Sequence, residues 1–182
     1  MSSAAKPARK LPGLKYLGWF FGLAAIVVAL DQGAKITAIA NLSPNQYYPF
    51  LGDLLRLYLV YNDSAAFSLS LGSTAIFTVI SSLATIALIW WAPRIETRSW
   101  SIIAGLVLGG VVGNLIDRLF REPGFGSGHV VDYLSLPFNF PIFNIADMAI
   151  SITAVVVVLR VMRGENIGKA KTSASKRPEQ DA

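Results

Sequence analysis

Residues 100–119 read WSIIAGLVLGGVVGNLIDRL, twenty positions without a charge until Asp117 and Arg118 at the far end. At about 1.5 Å of rise per residue, a helix of that length crosses the roughly 30 Å hydrocarbon core of a bilayer. Gly109, Gly110 and Gly113 carry no side chain to hold neighbouring helices apart, which is a packing role in lipid. Three further stretches share this length and apolar character, at approximately 17–39, 73–92 and 142–162. Lipid cannot satisfy free backbone groups, so each is predicted to be an α-helix. Four such helices on short connections predict a membrane α-helical fold, a four-transmembrane-helix bundle.

Composition agrees with lipid as the solvent. The chain has 182 residues, 53% hydrophobic but only 15% charged, with a mean hydropathy of +0.51. Ordinary globular chains carry about 25% charged residues. The absence of cysteine excludes disulfides, thiolate metal sites and a cysteine nucleophile, and a single histidine, His129, excludes multi-histidine metal sites. The net charge of +5 is not gathered on one folded face, as nucleic-acid binding would require. Lys and Arg collect before the first span, in the 93–99 connector and after the last span. The positive-inside rule therefore predicts both termini in the cytoplasm, with segments 40–72 and 120–141 outside. Ala38-Ile39-Ala40 resembles a signal-peptide cleavage site, but Asp31 and Lys35 would fall in the cleavage region, so the first span is read as retained.

The organisation expected is a basic tail over 1–16, a membrane domain over 17–162, and a polar, disordered tail over 163–182. Within 40–72, the run Leu54 to Tyr61 has the β-branched and aromatic content of a strand, so a small sheet on the membrane surface is expected. The 120–141 loop is expected to be flexible through Gly124, Gly126 and Gly128, then extended from Val130.

Ionisable groups at membrane depth are functional candidates, because each costs about 2.5–3.5 kcal/mol even on lenient insertion scales. Asp31 and Lys35 stand one helical turn apart and can neutralise each other. Asn114 and Arg118 share a face of the third span, with Asp117 a counter-charge for Arg118, whose planar fork suits carboxylates and carbonyls. Asp132 and Asp147 are both expected at the outer membrane boundary, with Asn144 and Asp147 on one helix face. Two carboxylates in a poorly solvated site share a proton, so one acts as acid and the other as base in attack of water on a peptide bond. Singly, each could be a helix cap favoured by the dipole. Asn62, before a run of small residues, could hydrogen-bond an extended peptide.

Five motifs occur in order: Asp31-Gln32-x-x-Lys35, Asn62-x-x-Ala65-Ala66-Phe67-Ser68, Gly109-Gly110-x-x-Gly113-Asn114-x-x-Asp117-Arg118, Val130-Val131-Asp132-Tyr133 and Phe143-Asn144-x-Ala146-Asp147. Over roughly residues 15–162 the chain resembles the bacterial lipoprotein signal peptidases, or type II signal peptidases, aspartic proteases of the cytoplasmic membrane. The resemblance implies that Asp132 and Asp147 are the catalytic dyad. It implies that Asn62, Asn114, Arg118 and Asn144 position the substrate or the dyad, that Asp31, Lys35 and Ala66 support the site, and that Asp117 mainly stabilises it. It also implies a small extracytoplasmic β-cradle, a loop over the active site, no metal or organic cofactor, and a monomer among membrane lipids. The substrate implied is a prolipoprotein whose lipobox cysteine carries diacylglyceryl, cut just before that cysteine. A competing reading is a small transporter or channel subunit with Asp31, Lys35, Asp117, Arg118 and Asp147 along an ion path. The paired discontinuous segments of inverted repeats that would favour it are not evident.

Overall fold

The computed structural model describes residues 11–63 and 73–170. Four α-helices lie where the apolar runs predict them: α1 over Leu17–Asn41, α2 over Ser73–Trp91, α3 over Arg98–Phe120 and α4 over Ile145–Met162. All four are long and apolar enough to cross a membrane, so this is a multi-pass membrane protein. A three-stranded antiparallel sheet sits at one end of the bundle: β1 over Tyr47–Leu51, β2 over Leu55–Asn62 and β3 over Val130–Ser135.

Helix α3 is the centre of the bundle, with 12 of its 23 residues buried. Its consecutive glycines face different neighbours. A Cβ on Gly109 would lie 2.6 Å from Val27 Cβ of α1, and one on Gly110 would lie 2.6 Å from the Ala146 carbonyl of α4. The glycines thus do the packing work assigned to them. Gly110→Ala drives a methyl into a backbone oxygen that cannot swing away, so it should cost about 1–3 kcal/mol. That corresponds to a melting temperature lower by several degrees, read by thermal unfolding in detergent. An unchanged melting temperature would mean that α3 and α4 can separate freely.

Three local expectations are corrected. Helix α4 starts at Ile145 and not at 142, because Phe143 exchanges backbone hydrogen bonds with Leu134 and extends the sheet. The glycine-rich part of the 120–141 segment is a tight wrap: the Gly128 N–H donates to the Arg118 carbonyl at 3.0 Å, and Thr78 Oγ1 donates to the Gly126 carbonyl at 2.8 Å. Residues 163–170, expected to begin a disordered tail, return to the connector between α2 and α3. There the Glu96 N–H donates to the Gly168 carbonyl, Lys169 pairs with Glu96 at 2.7 Å, and a Cβ on Gly168 would lie 2.5 Å from the Trp91 ring.

The sheet register positions the chemistry. Asn62 pairs with Val130 and Val60 with Asp132, so the end of β2 is held beside the start of β3. One face of the sheet packs Leu59, Val131 and Tyr133 against Ala38 of α1. Alternation along β3 turns Asp132 to the opposite face.

Candidate active site

Two polar networks meet where α1, α3, α4 and β3 converge. The first is built on α1. Asp31 and Lys35, one turn apart, form a 2.8 Å ion pair, and both side chains are wholly buried. Lys35 Nζ also reaches Asp117 Oδ2 at 2.8 Å and donates to Asn114 Oδ1 at 3.0 Å, which uses all three of its donors. The other oxygen of Asp117 takes Arg121 Nε at 2.6 Å and Gln32 Nε2 at 3.2 Å. Asp31 Oδ1 accepts the Ala146 N–H at 3.0 Å, one of the donors that the first turn of α4 leaves unsatisfied. Gly113 makes room for this, since a Cβ there would lie 2.7 Å from Asp31 Oδ2. Two carboxylates and two cations cancel, as buried charge requires.

The second network is built on Asn144. Its Oδ1 accepts the Asp147 N–H at 3.0 Å while its own N–H donates to Asp147 Oδ2 at 3.1 Å, a reciprocal capping box on α4. Asn144 is therefore a cap, which corrects the expectation that it shares a helix face with Asp147. Its Nδ2 donates to Asp132 Oδ1 at 2.6 Å, so one residue holds both carboxyl groups. The second oxygen of Asp132 accepts Asn62 Nδ2 at 2.8 Å, and Asp147 Oδ1 accepts Asn114 Nδ2 at 2.8 Å.

Asn114 joins the two networks. Lys35 occupies its Oδ1, so its amide nitrogen must face Asp147. Asp132 is 3% exposed, and loss of hydration lifts its carboxyl from the usual 3.8 to about 6. The hydrogen bonds from Asn62 and Asn144 oppose that rise, and the charge of Asp147 adds to it.

Arg118 is 9% exposed, its guanidinium 5.3 Å above the Phe77 ring and within electrostatic reach of Asp132 and Asp147. The counter-charge expected for it is engaged elsewhere: the ion pairs of Asp117 are to Lys35 and Arg121. Asp31, Lys35, Asn62, Asn114, Asp117, Asp132, Asn144 and Asp147 thus come together from five elements. Ala66 lies outside the described residues. Gln32 and Arg121 were not among the candidates, although Gln32 sits inside the first motif and Arg121 is one turn from Asp117.

Four apolar helices closed at one end by a small antiparallel sheet, with carboxylates gathered at the junction, define a multi-pass membrane protein with a carboxylate-based site. The fold is that of a bacterial membrane enzyme solved by the in meso method at 1.9 Å resolution, with a TM-score of 0.74, 24% identity, and coverage of 82% of this chain and 96% of that one. Residues 23–163 match the family model for signal peptidase (SPase) II. A lipoprotein signal peptidase of Leifsonia xyli subsp. xyli is 44% identical over 160 residues, 88% of this chain and 74% of the relative. One from Mycolicibacterium smegmatis is 37% identical over 180 residues, 99% of this chain and 72% of the relative. The chain belongs to the signal peptidase II family and is a membrane peptidase.

Proposed function

We propose that this protein is an aspartic endopeptidase that removes the signal peptide from diacylglyceryl-modified prolipoproteins, cutting before the lipidated cysteine. The observation that carries the reading is the pair Asp132 and Asp147, both hydrogen-bonded to Asn144. The ionised member of the pair takes a proton from water as the oxygen attacks the scissile carbonyl, and the protonated member gives its proton to the carbonyl oxygen. Collapse of the tetrahedral intermediate returns a proton to the leaving amine and releases a new carboxylate. Charge balance supports one shared proton: the pair then carries a single negative charge, opposed by the buried Arg118.

Both carboxyl groups come from one chain, so a monomer suffices. The Lys and Arg of the tails and the 93–99 connector support a cytoplasmic-membrane orientation with both termini inside and the dyad near the outer leaflet. A lipid-modified substrate suits such a site, since its acyl chains can arrive laterally while the cleaved bond meets water at the interface.

The test is cleavage of a diacylglyceryl-modified lipobox peptide by purified protein in detergent, with the product mapped by mass spectrometry. Cutting before the modified cysteine supports the proposal. A folded protein that leaves the peptide intact but passes ions in vesicles would replace it with the transport reading.

Acidity gives a second test. The raised carboxyl of Asp132 binds its proton more tightly folded than unfolded. Its contribution to stability is therefore present below about pH 4 and lost as pH rises through about 6. Activity should follow the pair in a bell-shaped profile, with the alkaline limb falling from near pH 6. A profile flat from pH 4 to 8 would remove shared-proton chemistry. Arg118→Lys keeps the charge but loses the planar fork, and should lower kcat/KM by about tenfold; wild-type turnover would show that a point charge is enough.

A further inference from the structure

Most of helix α2 faces lipid. Ile76, Val79, Ile80, Leu83 and Ile86 are exposed along it, and among the described residues it gives no side chain to the two polar networks. Thr78 breaks that pattern: at 7% exposure it is the only buried residue of α2 among the described ones. Its hydroxyl lies 2.9 Å from the carbonyl of Thr74, one turn back in the helix, and 2.8 Å from the carbonyl of Gly126 in the wrap. Thr74 alone would satisfy the hydroxyl; the bond to Gly126 ties the wrap to α2 as well.

From Gly126 the tie runs to the end of α3. The wrap is closed within itself, with the Ser127 N–H donating to the Gly124 carbonyl at 3.0 Å and the His129 N–H to the Glu122 carbonyl at 2.9 Å. It then seats directly on α3: the Gly128 N–H donates to the Arg118 carbonyl at 3.0 Å, and a Cβ on Gly128 would lie 2.3 Å from the Asp117 carbonyl oxygen. The main chain of Arg118 is thus fixed to α2 at one remove.

The residue before Thr78 meets the other end of Arg118. Phe77 places its ring 5.3 Å under the guanidinium carbon, on the face whose electron density attracts a cation. Arg118 is nearly buried, where such a contact is stronger than at a wet surface. Three carboxylates act on this cation, Asp132, Asp147 and Asp117. The ion pairs of Asp117 are to Lys35 and Arg121, so the pull on Arg118 that is not already shared comes from the dyad. A planar group on a long flexible stem is held in one orientation by stacking on an aromatic face, and Phe77 supplies that face from the side of α2.

We infer that Phe77 is a positioning residue for the reaction: its ring holds the Arg118 guanidinium toward Asp132 and Asp147, while Thr78 beside it fixes the Arg118 main chain through the wrap. A lipid-facing helix thereby sets the charge that opposes the dyad. The inference rests on the reading of the dyad given above.

The test is steady-state cleavage of a diacylglyceryl-modified lipobox peptide by full-length protein in detergent, with the melting temperature followed alongside. Phe77→Leu stays apolar but removes the ring, and should lower kcat about fivefold while KM stays within about twofold. Phe77→Tyr restores a ring and should recover most of that loss. In an Arg118→Gln background, Phe77→Leu should change kcat by less than about twofold, because no guanidinium is left to hold. Thr78→Val keeps the shape but lets the wrap go, and should lower kcat about threefold, again only where Arg118 is present; it carries the test if Phe77→Leu does not fold. A folded Phe77→Leu or Thr78→Val with wild-type kcat would overturn the inference. So would equal losses with and without Arg118, which would show that these residues only pack the bundle. A wild type that leaves the peptide intact would remove the reading of the dyad first, and this inference with it.

Discussion

Asp132→Asn and Asp147→Asn should each lower cleavage of a lipid-modified lipobox peptide by about a thousandfold or more, and the double variant should be no slower than either single one. Positioned acid–base catalysis accounts for about 10²–10⁴ in rate per step. On the proposed mechanism the two carboxyls share one proton and act as a unit, so removing either removes the function of both and the losses do not add. Geometry complicates the variants in a predictable way. Each carboxyl accepts from two amide donors, Asp132 from Asn62 and Asn144, and Asp147 from Asn114 and Asn144. An asparagine offers one acceptor oxygen, so each substitution leaves one donor unmatched at about 1–3 kcal/mol. Melting temperatures should therefore fall by several degrees while the protein stays folded and still binds substrate. Activities that fall by small factors and multiply in the double variant would mean that the two residues act separately, as caps and struts.

The spans were legible because hydrophobic length is a local property, and Asp31 with Lys35 because a spacing of four is local too. What joins the networks is not local. Asp117 meets Lys35 across 82 positions of sequence, and nothing in either motif says that Asp117 turns from Arg118 toward α1. The start of α4 was misplaced because Pro141-Ile142-Phe143 continues an apolar run, whereas tertiary pairing of Phe143 with Leu134 makes that run extended and leaves Asn144 as the cap. The capping role was therefore visible only once the strand was. Strand β1 escaped notice because Pro49 interrupts it; it pairs with β2 alone, and proline is tolerated on such an edge. The docking of residues 163–170 depends on the absence of a side chain at Gly168 over Trp91, a contact between distant segments that no periodicity encodes.

Lys35→Met should be the most destabilising single change among the described residues. The wild-type cluster is neutral, with Asp31 and Asp117 against Lys35 and Arg121, and removing the lysine leaves one buried negative charge uncompensated. Breaking a buried ion pair from one side costs about 3–5 kcal/mol, which corresponds to a melting temperature lower by roughly 10 °C. Adding Asp31→Asn to Lys35→Met restores neutrality, and the asparagine carbonyl can still accept the Ala146 N–H, so the double variant should regain much of the lost stability. Activity should not follow. Lys35 also donates to Asn114 Oδ1, and that bond turns the Asn114 amide nitrogen toward Asp147. Without it only Asn144 Nδ2, at 3.1 Å, still holds that oxygen, so the amide reverses more readily and presents its oxygen to the carboxyl, which on the proposed mechanism spoils the sharing of one proton with Asp132. The double variant should thus be folded, with kcat reduced by a hundredfold or more and KM nearly unchanged. If kcat recovered together with the melting temperature, Lys35 would act only by holding the bundle together; if stability alone recovered, the ammonium group on α1 would set the protonation of a dyad it never touches.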